Sequence, residues 1–339
     1  MAIYGAGAMG TILGAYLARA GETIDLVSRN VAHVKGLREQ GAHIVGKVDF
    51  IQLVSAMLPE EMNGKYDIIF LMTKQLDNKG VVTFLSEHLT DTGVICTMQN
   101  GLPELSVAEI IGENRTVGCA MAWGANMLGE GKAELTTEPS RETLSFSLGS
   151  FGTVDEDIID EIFRVLSIMG RVTVEENFIG ARWAKLLVNS AFSGLSAVLG
   201  ATFGAIAKDK RSRLLAQLIM KECIDVAKHA NIVIEPIQGK DVVKLLDYNN
   251  KVKQLISFMI IPIAMKKHRD LKSSMLQDLA KGRKCEIEAI NGVVSAYGRK
   301  VGFQTPYNDR IVAIVGRIES GELISEWANI RLFDDLVKK

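Results

Sequence analysis

Cysteine is scarce and scattered: Cys96, Cys119, Cys223 and Cys285 are the four thiols among 339 residues, and no two form a CxxC pair. That spacing excludes a zinc ribbon or dithiol redox centre and suits reduced, buried thiols, so the expected compartment is the cytoplasm. The five histidines show neither HxxxH nor HxH spacing, and no metal site is expected. An excess of one charge is missing too: 39 Lys and Arg against 40 Asp and Glu give a net charge of −1. Neither nucleic acid nor an anionic membrane is therefore expected as the main partner. The most apolar stretch, residues 255–265, is too short to span a bilayer and contains Pro262. No charge run, low-complexity tract or internal repeat is present, and no leader is read ahead of the first glycine. A hydrophobic fraction of 47% with 23% charged residues leaves a globular protein, long enough for roughly two domains.

What is present falls into two textures. The first half alternates short β-rich runs with helical patterns, the signature of a parallel sheet covered by helices. Strands are expected at residues 2–4, 23–27, 67–73, 94–98 and 116–121, and helices at 9–20, 31–40, 78–89 and 104–111. Residues 132–137 and 143–148 alternate and should extend the sheet in antiparallel fashion. An amphipathic helix at 154–169 and a last strand at 171–174 follow. Beyond Glu176 the apolar spacing is i, i+3, i+4 throughout. The fold class is α/β: a Rossmann-type doubly wound sheet over residues 1–175, then an all-helical domain over 176–339. Only four residues precede the glycine motif, so the first strand is either truncated or lacks its N-terminal end.

Gly5-Ala6-Gly7-Ala8-Met9-Gly10 is a GxGxxG turn directly after a strand and opening a helix. Gly5 permits the tight turn, Gly7 lets backbone N–H groups approach a pyrophosphate, and Gly10 lets helix pack closely on strand. The helix N-terminus adds partial positive charge. An NAD site usually carries an acid at the end of the second strand. Here Val27-Ser28-Arg29-Asn30 stands there, and Asp25 lies too early in the strand. Ser28, Arg29 and, after the 67–73 strand, Lys74 suit a 2′-phosphate, so NADP(H) is favoured over NAD(H). The plainer alternative is that both are ordinary loop-surface cations.

Three further motifs follow in order: Gln99-Asn100-Gly101, then Lys185-Leu186-Leu187-Val188-Asn189, then Ser273-Ser274-Met275-Leu276-Gln277-Asp278, with Glu286 beyond. Together with the glycine turn they resemble the ketopantoate reductase family (2-dehydropantoate 2-reductases and related 2-oxoacid reductases), from Gly5 to about Arg317. The resemblance implies an oxidoreductase with its site in the cleft between two domains. It implies that Lys185 donates the proton, that Asn189 and Ser274 bind the substrate, and that Asn100 lies between nicotinamide and substrate. Glu286 is matched to a carboxylate near the ribose and the lysine, Arg29 and Lys74 to 2′-phosphate cations, and Ala125 to a cofactor contact. The implied partner is a small 2-oxoacid, and a homodimer is possible.

The residues carry this chemistry by themselves. Lys185, Asn189 and Ser193 stand at i, i+4 and i+8, one face of one helix. Reduction of a ketone puts negative charge on its oxygen, which an ammonium stabilises and protonates. Ser274 through Gln277 fits a capping box, and a helix N-terminus can seat a carboxylate. Plainer roles remain open: Lys185 as a solvated cation, Ser274 as only a cap, Glu286 as an exposed acid beside Arg283 and Lys284, Asn100 as a turn residue. Glu222 reads as surface charge. Ser193 and Phe203 stand where the family carries asparagines, which leaves either ketopantoate or another 2-oxoacid with an apolar side chain as substrate.

Overall fold

The structure, a computed structural model, describes residues 1–150, 152–237 and 241–337. The chain divides into two compact units, Met1–Phe178 and Ile179–Lys339.

Among its described residues the first unit has twelve strands: β1 (Ala2–Tyr4), β2 (Asp25–Val27), β3 (Ala42–Gly46), β4 (Phe50–Gln52), β5 (Ser55–Met57), β6 (Tyr66–Leu71), β7 (Leu89–Thr97), β8 (Thr116–Met121), β9 (Ala125–Gly129), β10 (Lys132–Leu135), β11 (Ser145–Ser150) and β12 (Arg171–Val174). Eight form one sheet in the order β12-β11-β8-β7-β6-β1-β2-β5. Every neighbouring pair in it is parallel except β11 with β8. All three residues of β1 are buried, as a strand covered on both faces must be. Burial of one such side chain as large as Ile3 is worth about 1.5–3 kcal/mol.

The helices α1 (Ala8–Arg19), α2 (Val31–Gln40), α3 (Asn78–Ser86), α4 (Pro103–Ile111) and α5 (Glu156–Leu166) supply the covering layers. Local chemistry sets their starts. Asn30 accepts from His33 N–H and opens α2; Asp77 accepts from Gly80 N–H and opens α3; Asp155 accepts from Asp157 N–H and opens α5. Such caps satisfy N–H groups that have no partner inside the helix.

One expectation is corrected. β11 does extend the main sheet antiparallel, but β10 does not: it belongs to a separate four-stranded sheet ordered β4-β3-β10-β9. There β10 runs parallel to β3 and antiparallel to β9. The turn at Gly131 folds β10 back on β9, so the pair leaves the main sheet before β11 returns to it.

The second unit is helical among its described residues: α6 (Phe178–Val188), α7 (Gly194–Leu199), α8 (Phe203–Lys208), α9 (Lys210–His229), α10 (Val242–Leu246), α11 (Lys251–Ala264), α12 (Ser274–Leu279), α13 (Val293–Val301) and α14 (Pro306–Glu319). Two π-helical turns, Asn189–Ser193 and Glu288–Gly292, interrupt this winding. Among the described residues, no helix is long and apolar enough to cross a membrane.

Candidate active site

The chain leaves β1 at Tyr4 and reverses at Gly5, whose φ of +102° lies where side chains are rarely tolerated. A Cβ there would stand 2.5 Å from the Thr73 nitrogen. The N–H groups of Gly5 and Ala6 both donate to the Val27 carbonyl, at 3.0 and 2.9 Å, tying the turn to the end of β2. At Gly10 a Cβ would stand 2.8 Å from the Gly5 oxygen, so only glycine lets α1 sit this close to the turn. Gly7 is exposed, with nothing closer than 3.9 Å to a Cβ placed on it. Ala8 and Met9 are half-buried beside it. α1 has no side-chain cap and no acid in its first turn. Its first N–H groups therefore face outward with their share of positive potential, an arrangement suited to phosphate.

Four neighbouring strands, β7, β6, β1 and β2, deliver the other expected residues at their carboxyl ends. Arg29 follows β2 and Lys74 follows β6; both are exposed, one on each side of the glycine turn. Asp25, dismissed as too early, is already engaged: it accepts from Tyr66 Oη at 2.9 Å and from Ser55 Oγ at 2.6 Å. Burial, then hydrogen bonding to this carboxylate, pushes the Tyr66 phenol well above its usual range, so the hydroxyl keeps its proton and donates. Asn100 follows β7, half-buried.

Gln99, which the sequence reading left without a role, organises this edge. Buried, it donates through Nε2 to the Thr73 carbonyl at 2.9 Å and to Asn78 Oδ1 at 2.7 Å. Its Oε1 accepts from Thr97 Oγ1 at 2.9 Å and from Asn78 Nδ2 at 3.1 Å. The ends of β6 and β7 and the start of α3 are thereby locked together. Gln75 adds a hydrogen bond to the Asn100 carbonyl. Ala125 stands apart from this row of strand ends: it opens β9 in the second sheet and packs on the core.

In the helical unit, Lys185, Asn189 and Ser193 are half-buried while most residues between them are buried. They form one accessible line, but not on the single α-helix expected. α6 stops at Val188 and the π turn carries Asn189 through Ser193. An i+4 step in an α-helix overshoots a full turn by about 40°. A π turn, with its i→i+5 bonds, falls short of one. The two deviations offset, and Ser193 returns toward the line of Lys185.

Ser274 needs correction as a cap. The N-cap of α12 is Ser273, buried, whose Oγ accepts from Leu276 N–H at 3.0 Å while its own N–H donates to Ser196 Oγ at 3.2 Å. Ser274 is the exposed first residue of α12. That helix packs on α7 and on the Asn189–Ser193 turn. Glu286 is 8% exposed, a buried carboxylate rather than the exposed acid of the plainer reading, and it lies just ahead of the second π turn.

Glu222 also needs correction, because it is buried rather than a surface charge. Its carboxylate accepts from the N–H groups of Tyr307 and Asn308, at 2.9 and 3.0 Å, and from Asn308 Nδ2 at 2.7 Å. Burial pushes its pKa up to about 7, those hydrogen bonds opposing the rise. Phe203 is 9% exposed, its ring 5.6 Å from that of Phe192. Among the described residues no three His, Cys, Asp or Glu side chains gather as a metal site.

An open parallel sheet ending at a glycine turn and an uncapped helix defines the class: a dinucleotide-binding Rossmann-type protein with a helical partner unit. Residues 1–146 match the family described as "Ketopantoate reductase PanE/ApbA", and residues 177–319 its C-terminal counterpart. The 2-dehydropantoate 2-reductase of Pyrococcus horikoshii is 28% identical over 94% of this chain and 97% of its own. That of Lactococcus lactis is also 28% identical, over 92% and 96%. Among solved structures, a 2-dehydropantoate 2-reductase from Geobacter metallireducens superposes with a TM-score of 0.75 at 26% identity, over 94% of this chain and 99% of that one. A ternary structure of D-mandelate dehydrogenase with NADH and anilino(oxo)acetate gives 0.80 at 22% identity, over 94% and 98%, a likeness of fold. The chain belongs to the ketopantoate reductase family and is an oxidoreductase.

Proposed function

We propose that this chain reduces a 2-oxoacid with NADPH and that 2-dehydropantoate is its substrate. When bound, the dihydronicotinamide supplies the hydride that adds to C2. The outward N–H groups at the start of α1, Ala8 to Gly10, hold the pyrophosphate, and Gly5, Ala6 and Gly7 shape the turn that lets it approach. Arg29 and Lys74 hold the 2′-phosphate, as two exposed cations flanking that turn, while Asp25 is taken by Ser55 and Tyr66 rather than a ribose hydroxyl. Asn100 sits where nicotinamide and oxoacid meet, and Ala125 adds a cofactor contact. Lys185 gives its proton to the C2 oxygen as the carbon–oxygen double bond becomes a hydroxyl, and Glu286 holds the ammonium in place. Asn189, Ser193 and Ser274 bind and orient the acid.

The observation that carries this reading is the accessible line of Lys185, Asn189 and Ser193 along a mostly buried helical rod. A proton donor and two hydrogen-bonding groups in line suit a substrate with a carbonyl, a carboxylate and a hydroxyl. A second reading, another branched 2-oxoacid with an apolar side chain, is favoured by Ser193, whose reach is shorter than that of asparagine. Steady-state oxidation of NADPH against a panel of 2-oxoacids separates the two. The first requires 2-dehydropantoate to give the highest kcat/KM; a higher value for 2-oxoisovalerate selects the second, and no turnover with any 2-oxoacid overturns both.

A further inference from the structure

A buried polar relay joins the two π turns. Asn291, in the second turn, donates from Nδ2 to the Ser190 carbonyl at 2.9 Å, inside the first. The same Nδ2 donates to Asn308 Oδ1 at 2.9 Å. Asn308 Nδ2 in turn donates to Glu222, whose carboxylate also caps the start of α14. Ser190, Asn291 and Asn308 are wholly buried, and Glu222 nearly so. Both N–H groups of the Asn291 amide turn toward oxygens, and α9 holds the far end through Glu222. Gly194, just beyond the first turn, lets the rod close on the amide: a Cβ there would stand 2.8 Å from Asn291 Oδ1.

A π turn is a single extra residue in an α-helix and persists where its surroundings hold it. Rewound as α-helix, residues 189–193 would carry Ser193 around the rod, away from Lys185. We propose that Asn291, anchored through Asn308 to Glu222, is a positioning residue that fixes this π turn and so aims Asn189 and Ser193 at the oxoacid. The proposal rests on the reading above, in which Asn189 binds substrate.

The test is a double-mutant cycle of Asn291→Ala and Asn189→Ala, read as oxoacid KM and kcat, with NADPH Kd from fluorescence titration and Tm beside them. Each single variant is expected to raise KM roughly tenfold with native NADPH Kd, and Asn291→Ala to add much less than that once Asn189 is gone, the remainder acting through Ser193. A purely structural role would lower Tm without that coupling. Native KM in folded Asn291→Ala while Asn189→Ala raises it, or fully additive effects in the double variant, overturns the positioning role. Native KM in Asn189→Ala overturns instead the assignment of Asn189 to the substrate. If Asn291→Ala does not fold, Gly194→Ala displaces the same amide with one methyl group and is read by the same outcomes.

Discussion

His33 Nε2 and the Thr11 hydroxyl stand 3.0 Å apart inside the first unit, both side chains buried. The other ring nitrogen, Nδ1, accepts from Gly131 N–H at 3.0 Å, so the proton sits on Nε2 and is donated to Thr11. The Thr11 hydroxyl reaches on to the Ala6 carbonyl at 3.4 Å. One imidazole thus braces α1, α2 and the β9–β10 turn beneath the glycine motif.

Acid should loosen this brace. Burial pushes the His33 pKa below its usual 6.5, with the Gly129 and Ala6 carbonyls opposing. The folded chain keeps the ring neutral where the unfolded chain takes up a proton, so stability present above pH 6.5 is lost as pH falls below it. Melting curves between about pH 7.5 and 5.5 should show a steeper decline for the native protein than for His33→Gln, which lacks that proton. Parallel declines would mean that His33 is not held neutral.

Arg29→Ala should raise the KM for NADPH far more than that for NADH, because only NADPH carries the 2′-phosphate that a guanidinium grips. Lys74→Ala should act in the same direction. Equal changes for both cofactors would end the NADP assignment.

Lys185→Ala should lower kcat by roughly 10²–10⁴-fold, the usual loss with a positioned general acid. NADPH Kd should stay native, since the phosphate turn lies in the other unit. Near-native turnover in a folded variant would remove Lys185 from the chemistry.

The adjacent serines should separate cleanly. Ser273→Ala removes the cap of α12 and should cost about 0.5–2 kcal/mol of stability. Ser274→Ala, on an exposed side chain, should leave Tm unchanged and raise the oxoacid KM. A native KM in Ser274→Ala would leave that serine without a part in binding.

Phe203 packs on Phe192 in the core, so Phe203→Ala should cost about 3–5 kcal/mol through the cavity it leaves. Phe203→Asn should also lower Tm without changing the order of preference among 2-oxoacids. A shift toward 2-dehydropantoate would make Phe203 a wall of the substrate site instead.

Features close in sequence are the ones the chain displays openly. β1, the glycine turn and α1 are readable because Gly5, Gly7 and Gly10 do separate steric jobs within six residues. The 116–121 and 171–174 strands stand as read, each a short run that includes β-branched residues between clear breaks. β3, β4 and β5 escape notice because they are only five, three and three residues long, β4 burying none of its residues and β5 only Ala56. Lys185 and Asn189 are legible as a helical pair, yet the π turn is not, since one extra residue leaves no mark on composition. Glu222 stands beside Lys221 and three residues before Asp225 on α9, and its partners Tyr307 and Asn308 come 85 and 86 residues later. Long-range pairing of that kind rescues a buried carboxylate, and no local pattern announces it.

The second sheet has a consequence for how the chain is made. β3 is complete once Gly46 emerges, but its parallel partner begins only at Lys132, and the N–H that His33 accepts belongs to Gly131. During synthesis from the N-terminus, β3 therefore has only the three-residue β4 beside it while the next five strands and two helices are still being added. Its other edge stays open as a template for wrong pairing, and the imidazole has no donor for Nδ1. The nucleotide-binding turn can be drawn up early, but its bracing closes only when the ribosome has passed residue 135.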